Sequence, residues 1–137
     1  MGDILNITNG DGAIGIMEKA NIPGVFLPWR DVLHDGPVPQ GLSLAELSQV
    51  RAEFIISRGW GTPETVTQDF IERDNLLKSY ANYKKVIMWF EHDLYDQLQI
   101  LQILDWFHHN PPGETELSLI CVDQYLGMLD DLVLTRL

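Results

Sequence analysis

The segment Lys84–Gln97, KKVIMWFEHDLYDQ, carries the clearest fold signal in this chain. Its apolar run at 86–90 is typical of a strand that is buried on both faces, as in a parallel sheet. Polar and ionisable side chains follow without a break: Glu91, His92, Asp93, Tyr95 and Asp96. Because open α/β sheets bind their ligands at the carboxyl ends of the strands, the segment predicts where a site lies.

Strand and helix signals alternate along the rest of the chain. Short apolar runs bounded by turn residues predict strands at 4–8, 25–27, 86–90 and 117–122. Helices are expected at about 13–20, between 43 and 59, from 62 to about 80, and at about 94–108. This order predicts an α/β fold: a small open, mostly parallel sheet of about four strands with helices on both faces, Rossmann-like or flavodoxin-like.

Two of the expected helices have clear start signals. Ser43 and Glu46 form a capping box, in which each side chain binds the other residue's free backbone amide. Thr62 supplies a cap in front of Pro63, which suits the first helical position. The helix after Ser43 carries apolar residues at helical spacing: Leu44, Leu47, Val50 and Phe54.

A chain of 137 residues is expected to form one domain, which we assign to residues 1–123. The C-terminal segment 124–137 is rich in apolar side chains: Leu126, Met128, Leu129, Leu132, Val133 and Leu134. These side chains need a surface to pack against. Three arrangements would provide one: the domain itself, a homo-oligomer, or a missing second region that starts with this segment.

The chain is strongly acidic, with 20 acidic residues against 9 basic ones and a net charge of −11. Such a surface repels nucleic-acid phosphates and anionic lipids unless a basic patch overrides it. Lys84–Lys85 is the only adjacent basic pair, so we expect no nucleic-acid binding. No basic-then-apolar leader follows Met1, and no apolar run approaches the ~20 residues that span a bilayer. A cytoplasmic location without membrane contact is therefore expected.

Cys121 is the single cysteine, which excludes an intrachain disulfide and a cysteine-rich zinc site. Its position inside the apolar run 117–122 predicts a buried thiol with a packing role.

The stretch 10–15, GDGAIG, matches the dinucleotide-binding pattern G-x-G-x-x-G after a strand and before a helix. Asp31 lies where the acid that binds the ribose would be expected. Asp11, however, places a negative charge in the loop that would hold the pyrophosphate. The alternative is a tight turn in which Asn9 or Asp11 caps the helix. A mononucleotide or a phosphate at the helix N-terminus fits this stretch better than a dinucleotide does.

The loop at 28–37, PWRDVLHDGP, is dense in residue types that bind ligands. Arg30 could clamp a phosphate or a carboxylate, Trp29 could stack on a planar ligand, and His34 could exchange protons. The structural alternative is that Arg30 pairs with Asp31 or Asp35 and that Trp29 belongs to the core. The sequence leaves both interpretations open.

The cluster at 91–96 suits a divalent metal site, a general base, or both. Carboxylates together with a histidine are ligands for Mg²⁺, Mn²⁺ or Zn²⁺, and close carboxylates can split into acid and base roles. The alternative is helix capping, with Asp93 at the N-cap and Asp96 at the third helical position. Capping does not account for Glu91 and His92. The sequence identifies no metal and contains no P-loop, nucleophile-elbow or H-E-x-x-H motif.

Three stretches resemble the bacterial domain-of-unknown-function 1835 family: Asn9-Gly10-Asp11, then LPWRDVLHDGP at 27–37, then WFEHDLYDQ at 89–97. The resemblance covers about residues 3–125, and Gly12 stands where a small residue, often serine, is expected. Members look like longer proteins with an additional C-terminal segment, so the resemblance implies an N-terminal domain. The family has no established activity, and the resemblance therefore implies no catalytic residue.

Together these observations predict one polar site at the carboxyl edge of the sheet, which binds a small phosphorylated or nucleotide-like ligand and could also hydrolyse it. Arg30 would anchor the anion, Glu91 or Asp93 would hold a divalent metal or activate water, and His34 or His92 would transfer protons. The catalytic candidates are Glu91, His92, Asp93 and His34, and the ligand-binding candidates are Asn9, Asp11, Trp29, Arg30 and Asp31. The alternatives are a non-catalytic regulatory or protein-interaction module of a longer bacterial protein, and a flavodoxin-like redox or nucleotide carrier.

Overall fold

The computed structural model describes residues 3–31, 33 and 35–122. His34 and the segment 124–137, both named in the predictions above, lie outside the described residues. The chain forms, in order, β1 (Ile4–Thr8), α1 (Asp11–Lys19), β2 (Val25–Pro28), α2 (Leu44–Ser57), α3 (Pro63–Lys78), β3 (Lys85–Glu91), α4 (Leu94–His109) and β4 (Glu116–Val122), with a 3₁₀ turn at Tyr80–Asn82. Each predicted strand and helix is present, with its ends shifted by one or two residues where they differ.

The four strands form one sheet in the order β2-β1-β3-β4, and every neighbouring pair is parallel. This confirms the predicted α/β class with a small open parallel sheet. After β1 the chain adds β2 on one side of the two central strands, and after β3 it adds β4 on the other side. The carboxyl ends of β1 and β3 therefore flank the point where the strand order reverses, which is where open α/β sheets have their binding crevice.

Helices cover both faces of this sheet. One face presents Val86, Met88 and Phe90 of β3 to a core that includes Leu77 of α3 and Ile103 of α4. The opposite face belongs to a smaller core that Trp89 forms with Ala13, Met17 and Ala20 in and just after α1. The alternation along β3 follows from the period of two in a strand, and it explains why the whole run 86–90 is apolar.

The predicted helix starts are confirmed. Ser43 and Glu46 form the capping box, and Thr62 caps α3 with Pro63 in its first turn. The apolar residues at helical spacing in α2 are partly buried, with Leu44 against the main core, and the fully buried residues of this helix are Ser48, Arg51 and Ala52.

Two smaller features complete the description. Cys121 is exposed, which corrects the prediction of a buried thiol. Among the described residues, the helices are all too short or too polar to cross a membrane.

Candidate functional site

The loops after β1 and β3 meet at the carboxyl end of the sheet. Asn9 follows β1, and Glu91 is the last residue of β3. The Nδ2 atom of Asn9 donates hydrogen bonds to Oε1 of Glu91 at 2.7 Å and to Oδ2 of Asp96 at 3.0 Å. A single carboxamide therefore holds two carboxylates at the crevice between β1 and β3.

Three carboxylates converge there. Glu91, Asp93 and Asp96 can each bring one oxygen to within 4.8 Å of the others. Glu91 and Asp96 are buried, and Asp93 is the more exposed member. Oxygen atoms gathered in this way are the donor set that Mg²⁺, Mn²⁺ and Ca²⁺ prefer in proteins. We call these three residues the acidic cluster.

Local hydrogen bonds explain why the cluster forms. Asp93 caps α4, with its Oδ1 accepting from the backbone N–H of Asp96 at 2.9 Å, so the capping interpretation of Asp93 is confirmed. Asp96 turns back to the strand end, and its Oδ2 accepts from the backbone N–H of Glu91 at 2.6 Å. The role of Asp96 is therefore to join α4 to β3, in addition to placing negative charge in the first turn of the helix.

Burial raises the pKa of the Asp96 carboxyl, although the hydrogen bonds from Glu91 N–H and Asn9 act in the opposite direction. The nearby charge of Asp93 contributes to the rise. Both effects arise because negative charge is held in a poorly solvated place beside another carboxylate. A bound cation would relieve both.

Arg30 and Asp11 join the loop after β2 to the start of α1. The Nε and Nη2 atoms of Arg30 donate to the two oxygens of Asp11, each at 2.7 Å, and Nη1 lies 3.7 Å from Asp69. The structural alternative, in which Arg30 pairs with Asp31 or Asp35, is therefore wrong. The Arg30 hydrogen bonds lower the pKa of Asp11. Both side chains are about half exposed, at 47% and 61%, so the pair is accessible to a ligand.

Trp29 is part of the core, which corrects the prediction that it stacks on a ligand. Its exposed fraction is 0%, and its Nε1 donates to Oε1 of Gln102 at 3.0 Å. The Arg73 guanidinium lies 3.8 Å from the ring centroid. An indole enclosed in this way has no face open to a ligand.

Asp31 is also structural rather than ligand-binding. Its carboxylate is buried and accepts hydrogen bonds from Arg51, the shortest from Nη2 at 2.8 Å. The dinucleotide interpretation of GDGAIG requires this acid to reach a ribose, so that part of the interpretation is corrected. Neither Asn9 nor Asp11 caps α1, because the N-cap residue is Gly10 and no side chain binds there.

His92 is exposed in the turn between β3 and α4, directly after Glu91. The structure thus brings together Asn9, Glu91 and Asp93 at one end of the sheet, with the Asp11–Arg30 pair on the neighbouring loops.

Sequence reasoning missed Arg51 and Gln99, which position the loop after β2. Arg51 Nη1 donates to the backbone carbonyls of Asp35 and Pro37 at 2.8 and 3.1 Å. Gln99 Nε2 donates to the carbonyls of Trp29 and Asp31 at 2.7 and 2.9 Å. The sequence held a signal for Arg51, because it is a basic residue among apolar ones in the middle of α2. It held no comparable signal for Gln99.

No protein-family model, curated protein or solved structure matches this chain. The resemblance to the domain-of-unknown-function 1835 family therefore stays a prediction.

Proposed function

We propose that this protein binds a small phosphorylated, nucleotide-like ligand at the carboxyl end of its sheet, together with a divalent cation held by the acidic cluster. One observation carries the proposal: Asn9 binds both Glu91 and Asp96 where the strand order reverses. Ligands of open α/β folds occupy this position, and here it gathers oxygen donors.

The donor set suits a magnesium-like cation. Mg²⁺ usually binds one or two carboxylates, keeps several waters and takes further oxygens from a substrate phosphate. Asp93, the more exposed member of the acidic cluster, leaves room for such shared coordination. Asn9 would orient Glu91 and Asp96, because its Nδ2 is bonded to one oxygen of each.

The Asp11–Arg30 pair would supply the anion contact. An exposed ion pair contributes little in water, because solvent screens both charges. A phosphate that approaches with its cation can therefore replace Asp11 as the partner of Arg30. The start of α1 is adjacent and has no side-chain cap, so its backbone N–H groups also favour an anion.

Hydrolysis is a further step that the same residues would support. Glu91 or Asp93 would accept the proton of a water molecule whose oxygen bonds to phosphorus. His92, exposed beside the cluster, would donate a proton to the leaving oxygen as its bond to phosphorus breaks.

Electron paramagnetic resonance of Mn²⁺ tests the cation site directly, because the signal of free Mn²⁺ falls when the ion binds. We expect binding by the wild type and by Glu114→Gln, an exposed acid outside the cluster. We expect at least a tenfold loss of affinity in Asp93→Asn. A wild type that leaves the Mn²⁺ signal unchanged would refute the cation site.

Calorimetric titration with nucleoside mono- and diphosphates, with and without Mg²⁺, tests the phosphorylated ligand. We expect binding that requires Mg²⁺ and weakens in Arg30→Ala. If the protein binds the cation but none of these nucleotides, with or without Mg²⁺, this part of the proposal is contradicted. Release of inorganic phosphate, compared between wild type and His92→Ala, tests the hydrolytic step.

A protein-interaction module is the second candidate, and an exposed apolar surface favours it. Gln97 Nε2 lies 3.7 Å from Cys121 Sγ, which fixes α4 beside β4. Leu101 follows Gln97 by one turn on the same face of α4, and Leu119 precedes Cys121 by two residues on the same side of β4. These side chains are 62% and 45% exposed. We call this the α4–β4 surface.

If the protein is an interaction module, we propose that another copy of this chain binds to the α4–β4 surface. Among the described strands β4 has a neighbour on one side alone, so a second β4 could pair with its open edge while the leucines pack together. Light scattering after size exclusion should give a dimer that Leu101→Ser weakens and Ile71→Ser, an exposed change on α3, does not. A monomer at every concentration contradicts this candidate.

A further inference from the structure

Three side chains from two helices surround Trp29. Gln102 of α4 accepts from the indole Nε1, and Gln99 of α4 donates to the Trp29 carbonyl. Arg73 of α3 lies against the indole ring. These three residues define what we call the Trp29 pocket.

Within the described residues, each of these three side chains has one buried polar atom without a hydrogen-bond partner. In the part of the chain that the structure describes, the buried side-chain nitrogen and oxygen atoms without a hydrogen bond are Arg73 Nη1, Gln99 Oε1 and Gln102 Nε2. All three belong to the Trp29 pocket. A buried polar atom without a partner loses its hydration and gains nothing in return, so proteins rarely leave several around one side chain.

Reorienting the amides does not satisfy these atoms. Gln102 must keep its oxygen towards Trp29 Nε1, because that group can act only as a donor. Gln99 must keep its nitrogen towards the carbonyls of Trp29 and Asp31, because carbonyls only accept. The unpaired donor on Gln102 and the unpaired acceptor on Gln99 are therefore fixed by their other hydrogen bonds.

The three atoms limit the chemistry of any molecule that binds to them. Two are donors, one of them cationic, so a metal ion is disfavoured. The third, Gln99 Oε1, is an acceptor, which disfavours an anion. A neutral molecule that both accepts and donates satisfies all three, and buried water characteristically bonds to two to four polar groups in this way.

We propose that the Trp29 pocket is an internal hydration site, occupied by one water molecule or a short chain of them. The water joins α3 and α4 behind the segment that carries Arg30 and Asp31. Arg73 also lines an open pocket of about 180 Å³ between β2 and α3.

Oxygen-17 magnetic relaxation dispersion tests this in solution, because it detects water molecules that stay bound longer than the protein takes to tumble. We expect a slow component in the wild type and in Trp106→Phe, a partly buried tryptophan outside the pocket. In the double variant Trp29→Phe/Gln102→Met the indole N–H and the amide are removed together, and the component should fall by about the amplitude of one water molecule. An unchanged amplitude would overturn the proposal.

A crystal structure of the wild type tests the same proposal without any substitution that could disturb the fold. We expect a water peak at about 3 Å from at least two of the three unpaired atoms. An empty space around them would overturn the proposal, and so would direct bonds among the three side chains or a bound ion.

Discussion

Asn9 and Glu91 are 82 positions apart in the chain, yet the Asn9 amide nitrogen lies 2.7 Å from a carboxylate oxygen of Glu91. The contact joins the ends of the two central strands, β1 and β3, at the point where the strand order of the sheet reverses. It also fixes Asp96, which shares the same donor. One uncharged side chain thus holds two buried acids in place.

Replacing Asn9 by aspartate should make the stability of the protein depend on a divalent cation. The change removes a donor and adds a carboxylate beside two others, and the loss of a hydrogen bond to a charged group costs about 1.5–3 kcal/mol. We expect Asn9→Asp to unfold at lower urea concentration in the presence of a chelator and to recover with Mn²⁺. Stability equal to wild type in chelator would contradict this role of Asn9.

The Asp11 carboxyl should titrate below its usual range, because the Arg30 hydrogen bonds favour its charged form. The folded-state pKa is lowered, so the pair stabilises the protein above the unfolded pKa of about 3.9 and loses that effect as the pH falls further. Since both partners are about half exposed, the contribution is at most about 1 kcal/mol. Carboxyl carbon-13 shifts measured against pH should show a rise of the Asp11 pKa in Arg30→Ala. The same midpoint in both proteins would refute the assignment.

Arg51 should be among the most sensitive positions in the fold. Its guanidinium is fully buried, and truncation to methionine leaves the buried Asp31 carboxylate without this partner. Breaking a buried pair in this way typically costs about 3–5 kcal/mol. Arg58→Met, which removes an exposed pair with Asp35, should cost less than about 1 kcal/mol. Comparable urea midpoints for the two variants would show that the buried network contributes little.

Two glycines should respond to alanine in opposite directions. Gly24 has φ +118°, and an added Cβ would lie 2.5 Å from the Ile4 carbonyl oxygen, so Gly24→Ala should destabilise by about 1–3 kcal/mol. Gly15 lies inside α1 with open space around it, so Gly15→Ala should stabilise by about 0.5–1 kcal/mol. Thermal unfolding of both variants checks the signs, and a stabilising Gly24→Ala would show that the turn before β2 is not constrained as described.

The fold was predictable from the sequence because its signals are local. The apolar run 86–90 marks a two-sided strand, and Ser43 and Thr62 mark helix starts with ordinary capping chemistry. Each signal lies within a few residues of the element that it defines. The order of elements then restricts the sheet to few arrangements.

The site was predictable only in part, because the partners of charged residues are set by tertiary contacts. The sequence left Arg30 either as an anion contact or as a partner of Asp31 or Asp35, but in the structure it binds Asp11 at the start of α1. Arg51 was not identified, because the spacing of apolar residues in α2 does not reveal that the buried Asp31 carboxylate packs against this helix. Trp29 belongs to a residue type that serves cores and ligands equally well, so its environment alone decides between them.

The exposed thiol of Cys121 gives the protein a reporter of its own. It is the single cysteine in the chain and lies next to Gln97 at the end of the α4–β4 surface. The rate at which a maleimide labels the unaltered protein will therefore measure how much of that surface is covered. If copies of the chain associate through this surface, labelling should become slower as the protein concentration rises. If another part of the same chain covers the surface, the labelling rate should not change with protein concentration.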